Sequence, residues 1–102
     1  MSIPMTRVRE IIKRTIDALD FEGLLRMGAP ADEYMSETYM YANYIVDNDN
    51  VTLDEVKKMW AEQFMGANEE HLDEYYYHPT IERGFIELTD VLNRLAEELK
   101  DD

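Results

Sequence analysis

The chain has 102 residues, no cysteine, and 23 acidic against 10 basic side chains, a formal net charge of −13. That length makes a single domain, 1–102, able to bury roughly 65% of its unfolded surface, and the missing cysteine excludes a disulfide framework and a thiolate metal site. The charge repels nucleic acid and anionic lipid, so direct binding to either is not expected, and it attracts basic partners.

The charge is uneven. Residues 1–28 carry five basic and four acidic groups (net +1), residues 29–78 two and twelve (net −10), and residues 79–102 three and seven (net −4). The total exceeds the range of about 2–8 that keeps a small domain soluble. A specific basic partner is one reading of the excess; a merely solubilising surface is the other. Arg7, Arg9, Lys13 and Arg14 interrupt the one candidate for a secretory apolar stretch. No run approaches the length of about 20 apolar residues that spans a bilayer. A cytoplasmic protein is the expectation.

Residues 5–20 are predicted as the first helix. Val8, Ile11, Ile12, Ile16 and Leu19 recur at steps of three and four and make one apolar stripe. Ser2 or Thr6 is its expected cap, and Pro4 fits only the first turn. The four basic residues lie off the stripe near the unfavourable end of the helix dipole, where a tertiary acidic partner is expected. Residues 21–27 follow as a short helical turn, with Phe21, Leu24, Leu25 and Met27 expected in the core.

The joint between the first two long helices is the most informative stretch. Gly28 takes positive φ cheaply, Pro30 fixes its own φ and biases Ala29 away from the α region, and Asp32 and Ser36 are both good N-cap residues. Glu33 and Glu37 lie where the dipole of a following helix favours negative charge. A well-built helical corner explains all of this. A recognition site, with Asp32, Glu33, Tyr34 and Glu37 offered to a partner, is the sharper alternative.

Gly28-Ala29-Pro30-x-Asp32-Glu33-Tyr34, then Glu37, preceded by Leu24-Leu25, resembles the signature of a small all-α bacterial family, chiefly known from bacilli and of unknown function. Members tend to carry a Trp-Asp-Pro-type lead-in; here Leu19-Asp20-Phe21-Glu22-Gly23 lacks both Trp and Pro, and Ser36 stands where the family often has Asp. The likeness covers Leu24 to Glu37. It implies an all-α fold and brings no catalytic residues.

Residues 33–47 mix strand formers such as Tyr39, Tyr41 and Ile45 with consecutive apolar positions that break any alternation. An uninterrupted run without Gly or Pro favours a helix. Its apolar residues cover most of the circumference, so it is expected to be the central helix. Tyr34 and Tyr41 share one face, Met40 and Tyr44 another. The following Asp47-Asn48-Asp49-Asn50 suggests a calcium loop, but an EF-hand wants glycine at position six and glutamate at twelve. Counted from Asp47 those are Thr52 and Lys58, so calcium is not expected.

Thr52-x-x-Glu55 is a capping box that opens a helix over 53–65. Leu53, Val56, Trp60 and Phe64 form its inner stripe with Met59 alongside, and Gly66 ends it. Residues 68–78 crowd Glu69, Glu70, Asp73 and Glu74 against Tyr75, Tyr76 and Tyr77. Three successive tyrosines span about 200° on a helix and alternate on a strand, so at least one is expected in solvent. Exposed tyrosine beside carboxylate has the composition of a binding hot spot; a tyrosine lid over the core is the alternative. His71 and His78 are two turns apart, too far to share a metal ion on one helix. Residues 80–100 are the clearest helix: Ile81, Phe85, Leu88, Leu92, Leu95 and Leu99 follow a heptad seam. That seam serves either packing within the chain or a homodimer through the C-terminal helix. Gly84 marks a close crossing, and Glu97, Glu98, Asp101 and Asp102 favour a frayed end.

The expected fold is an all-α compact bundle of four main helices. There is no nucleophile elbow, no phosphate loop and no cofactor signature, so an enzyme is not expected. The Asp73 to Tyr77 run resembles the acidic, double-tyrosine recognition segment of colicin-type DNase immunity proteins, which are small, acidic and helical. That likeness implies an immunity or inhibitor protein for a basic partner such as a toxin nuclease. A phage-type mimic of nucleic acid that blocks a defence protein would rest on the same physics, and a helical structural domain remains the third possibility.

Overall fold

The computed structural model describes residues 3–21, 25–65 and 79–100. Four helices make up the fold: α1 Met5–Leu19, α2 Met35–Asp47, α3 Leu53–Met65 and α4 Pro79–Lys100. No strand occurs among the described residues. The chain is all-α, and the segment with strand-like composition is the helix α2. α2 and α4 each pack against the three other helices, while α1 and α3 flank this pair. Centrality is therefore shared between α2 and α4.

The apolar stripe of α1 folds inward as its spacing requires, with Val8, Ile12 and Ile16 completely buried. The Pro4 carbonyl opens the helix by accepting from the N–H groups of Arg7 and Val8, both at 3.0 Å. Among the described residues no side chain caps this end: Thr6 lies inside the helix, and Ser2 lies outside the described residues. The basic residues find local partners rather than the expected tertiary ones. Arg7 and Arg14 both reach Glu10, and Lys13 pairs with Asp17 one turn on. Arg9 instead stacks over the Tyr39 ring, 5.5 Å from its centroid.

Gly28 closes the turn after α1 with φ +96° and donates to the Leu25 carbonyl at 3.1 Å. Met27 is not a core residue; it is 81% exposed at the tip of this turn. α2 then starts at Met35, two residues later than its charge pattern suggests. Neither Asp32 nor Ser36 caps it. The residue before the helix is Tyr34, and the Asp32 backbone carbonyl, not its carboxylate, accepts from the Met35 N–H at 3.1 Å.

The capping box of α3 forms reciprocally: the Thr52 N–H donates to Glu55 Oε1 at 2.9 Å, and the Glu55 N–H donates to Thr52 Oγ1 at 3.2 Å. Asn93 on α4 clamps the preceding turn, accepting from the Val51 N–H at 2.8 Å and donating to the Val51 carbonyl at 3.0 Å. Lys57, almost wholly buried between α3 and α4, meets Glu82 at 2.7 Å. The heptad seam of α4 lies inside the bundle, with Phe85, Leu88 and Leu92 fully buried. Helices of the same chain cover these three residues. Lys100 ties the end of α4 to Asp49, through both the Asp49 carboxylate and its carbonyl at 3.1 Å. The Asp47–Asn50 run thus receives an ammonium group from the chain itself.

Gly84 allows a close approach, from the last residue of α1 and from Phe21 just after it. A Cβ at this position would stand 2.8 Å from Phe21 Cε1 and 3.4 Å from Leu19 Cδ2. The Phe21 ring cannot retreat, being stacked on Phe85 at 4.0 Å. Gly84→Ala is therefore expected to destabilise by about 1–2 kcal/mol, the strain exceeding the gain in helix propensity. Urea unfolding checks the sign; a more stable variant would show that Phe21 yields.

Candidate functional site

Asp20 and Phe21 organise the joint between α1 and α2. Asp20 ends α1 in the left-handed region, φ 46°, and its N–H closes the last turn on the Ile16 carbonyl at 2.8 Å. Aspartate tolerates that backbone better than most residues. Its carboxylate is buried and accepts from three directions. Tyr34 donates its hydroxyl to Oδ1 at 2.6 Å; the Leu25 and Arg26 N–H groups donate at 3.2 and 3.1 Å. Arg26 Nε adds charge at 3.5 Å from Oδ2. Burial alone would push this carboxyl up; the Tyr34 hydroxyl, the two backbone donors and the arginine together outweigh it and hold the carboxyl below the ordinary aspartate value.

Phe21 does for the rings what Asp20 does for the polar groups. It stacks on Phe85 and meets Trp60 edge-on at 4.9 Å. Tyr34 belongs to both clusters, with its ring 5.5 Å from Trp60 and its hydroxyl on Asp20. No family model, no curated protein and no solved structure matches the chain.

The residues that the sequence nominates for partner binding divide sharply. Asp32 and Glu33 are exposed at the joint. Tyr34 is not offered to a partner: it is 1% exposed, because Trp60 holds its ring and Asp20 its hydroxyl. Glu37 is also buried, at 4%, since it lies one turn before Tyr41 on the inner face of α2. Glu69, Glu70, Asp73, Glu74, Tyr75, Tyr76 and Tyr77 lie outside the described residues, as do His71, His78 and Gly66. Sequence reasoning missed Asp20 altogether.

Two further tyrosines are engaged by the fold. Tyr41 donates from the core to the Val56 carbonyl at 2.7 Å, and half-buried Tyr44 donates to Glu55 Oε2 at 2.9 Å. The hydrogen bond to Glu55, with burial and the negative charge, raises the Tyr44 hydroxyl pKa. Glu55 moves down, chiefly through the Thr52 N–H and then Tyr44. Tyr39 is the described tyrosine that faces solvent, under Arg9.

The charges are distributed with a clear asymmetry. Six cations, Arg7, Lys13, Arg14, Arg26, Lys57 and Lys100, sit in ion pairs within the chain. Exposed carboxylates without a cation among the described residues stand at the joint (Asp32, Glu33), on α3 (Asp54, Glu62) and on α4 (Glu87, Asp90, Glu97, Glu98). With exposed Asp47 on α2, they spread over the joint and three helices rather than the joint alone. No cluster of three or more metal-ligating side chains occurs among the described residues, and no helix there is long and apolar enough to cross a membrane.

Proposed function

We propose that this protein is an acidic interaction module that docks on a cationic surface of another protein, and that it acts as an inhibitor of the immunity type. The partner is a basic enzyme whose phosphate-binding site it covers, such as a toxin nuclease. The supporting observation is the charge asymmetry: the chain's own carboxylates absorb most of its cations, and an excess of unpaired carboxylates faces water. Such a surface accelerates encounter with a positive cleft and disfavours nucleic acid itself. Residence time then falls to aromatic anchors. Buried Tyr34 supplies none, so in this reading the anchors are Tyr75, Tyr76 and Tyr77, flanked by Asp73 and Glu74.

Affinity capture from native lysate tests the proposal, with the intact chain as bait at about 50 and 300 mM salt. The expected prey is a basic protein whose retention falls about tenfold or more as the Debye length shrinks. Reversing Asp73 and Glu74 to lysine, with Tyr75, Tyr76 and Tyr77 changed to alanine, is expected to abolish retention at both concentrations. Reversing Asp32 and Glu33 is expected to slow association only. Prey held equally by all baits and unaffected by salt would defeat the reading. A captured DNA-binding defence protein, rather than a nuclease, would favour nucleic-acid mimicry.

A further inference from the structure

A cleft of about 450 Å³ opens between the end of α1 and the first turns of α4. Its apolar lining is half-buried Leu19 and Ile81, with the edge of the buried Phe21 ring behind them against Gly84. Charged residues complete the lining: Arg26, Arg83 and Glu87, all three exposed. Asp20 also lines it, but that carboxylate is occupied by Tyr34 and two backbone N–H groups. Arg26 lends Asp20 only a long contact and is otherwise 76% exposed. Arg83 has no ion pair among the described residues, although Glu87 follows it by one helical turn. Two arginines and two carboxylates line the cleft, so its charge is balanced in a chain that is otherwise strongly acidic, and one of the two carboxylates, Asp20, is already taken up by three donors.

We propose that this cleft binds a small organic anion, a carboxylate carried on an aromatic ring or short hydrocarbon body. The volume falls in the range of small-molecule sites, which pair an apolar lining with a few convergent polar groups. The body lies on Leu19 and Ile81, where it displaces water from apolar surface. The head meets Arg83 and Arg26, whose planar forks suit a carboxylate. An inorganic anion would leave the floor wet, and a neutral hydrocarbon would leave the guanidinium groups unanswered. The site shares only Glu87 with the exposed carboxylates, and its titration needs no protein partner, so it is tested independently of the docking of a basic partner.

The experiment is a titration of the intact, isotope-labelled chain followed by amide NMR, with 2-naphthoate as probe. Sodium sulfate at matched ionic strength and 2-naphthylmethanol serve as comparisons, one with the charge alone and one with the body alone. Naphthoate is expected to give saturable shifts centred on Ile81, Arg83 and Gly84, at an affinity at least about tenfold above either comparison. Arg83→Gln is expected to weaken it about tenfold; Glu87→Gln, which removes a like charge, to tighten it about twofold. Both side chains are exposed or on the rim, and opposite changes in affinity do not arise from a shared loss of folding. Non-saturating shifts, sulfate binding as tightly as naphthoate, or two variants indistinguishable from the parent would each overturn the assignment.

Discussion

Asp20→Ala is expected to cost about 3–4 kcal/mol of folding stability. The substitution leaves the Tyr34 hydroxyl and the Leu25 and Arg26 N–H groups without their acceptor in a buried place, and each orphaned donor costs about 1–3 kcal/mol unless water reaches it. Alanine in the left-handed region adds about 1 kcal/mol. Asp20→Asn keeps one acceptor and the tolerant backbone, so it should cost about half as much. Tyr34→Phe removes only the hydroxyl. A double-mutant cycle between positions 20 and 34, read by urea unfolding, should show a coupling of about 1 kcal/mol or more. The pH dependence follows from the lowered carboxyl. A group that ionises more readily folded than unfolded contributes stability above its unfolded value, about pH 4, and loses it as pH falls through the folded value. The gap between the parent and Asp20→Asn should therefore be full at pH 7 and shrink below about pH 4. A gap that widens in acid would mean that the buried group is protonated in the native state.

The helices were legible because their signals are local. Steps of three and four mark α1 and α4, and the Thr52–Glu55 capping box marks the start of α3; all three appear as their residues dictate. The joint was legible only as a corner. Gly28 announces positive φ, but nothing in the spacing of Asp20 and Tyr34 pairs a carboxylate with a hydroxyl fourteen positions on. Asp20 reads as the last polar residue of an amphipathic helix. Its special role comes from the left-handed turn that aims it inward. The same blindness displaced Tyr34 and Glu37. In sequence they stand beside Asp32 and Glu33 as one acidic–aromatic cluster, yet the fold buries Tyr34 against Trp60 and Glu37 on the inner face of α2, and leaves the other two outside. Composition cannot separate the two sides of a helix that is apolar round most of its circumference. The Asn93 clamp on Val51 is of the same kind, a pair joined across the fold with no local trace.

Trp60→Ala is expected to be the most damaging single truncation in the described core. Trp60 is fully buried among Phe21, Tyr34 and Phe85, with ring centroids at 4.9, 5.5 and 6.2 Å. Truncating such a residue typically costs about 3–5 kcal/mol, through lost transfer energy and the cavity left behind. Total stability for a domain of this size is about 5–15 kcal/mol, so the variant should lie near the edge of folding. Its melting temperature should drop by about 15 °C or more, read by circular dichroism because the sole tryptophan is gone. Trp60→Phe is the graded version and should cost about 1–2 kcal/mol. The informative comparison sets it against Asp20→Asn. Tyr34 leans on Trp60 with its ring and on Asp20 with its hydroxyl, so loosening either frees the other. The two changes together should cost less than their sum, by more than the spread of about 0.5 kcal/mol seen for independent sites. Strict additivity would mean that Tyr34 keeps its place with either support removed, and that the polar and aromatic halves of the joint are separate structures sharing a neighbourhood.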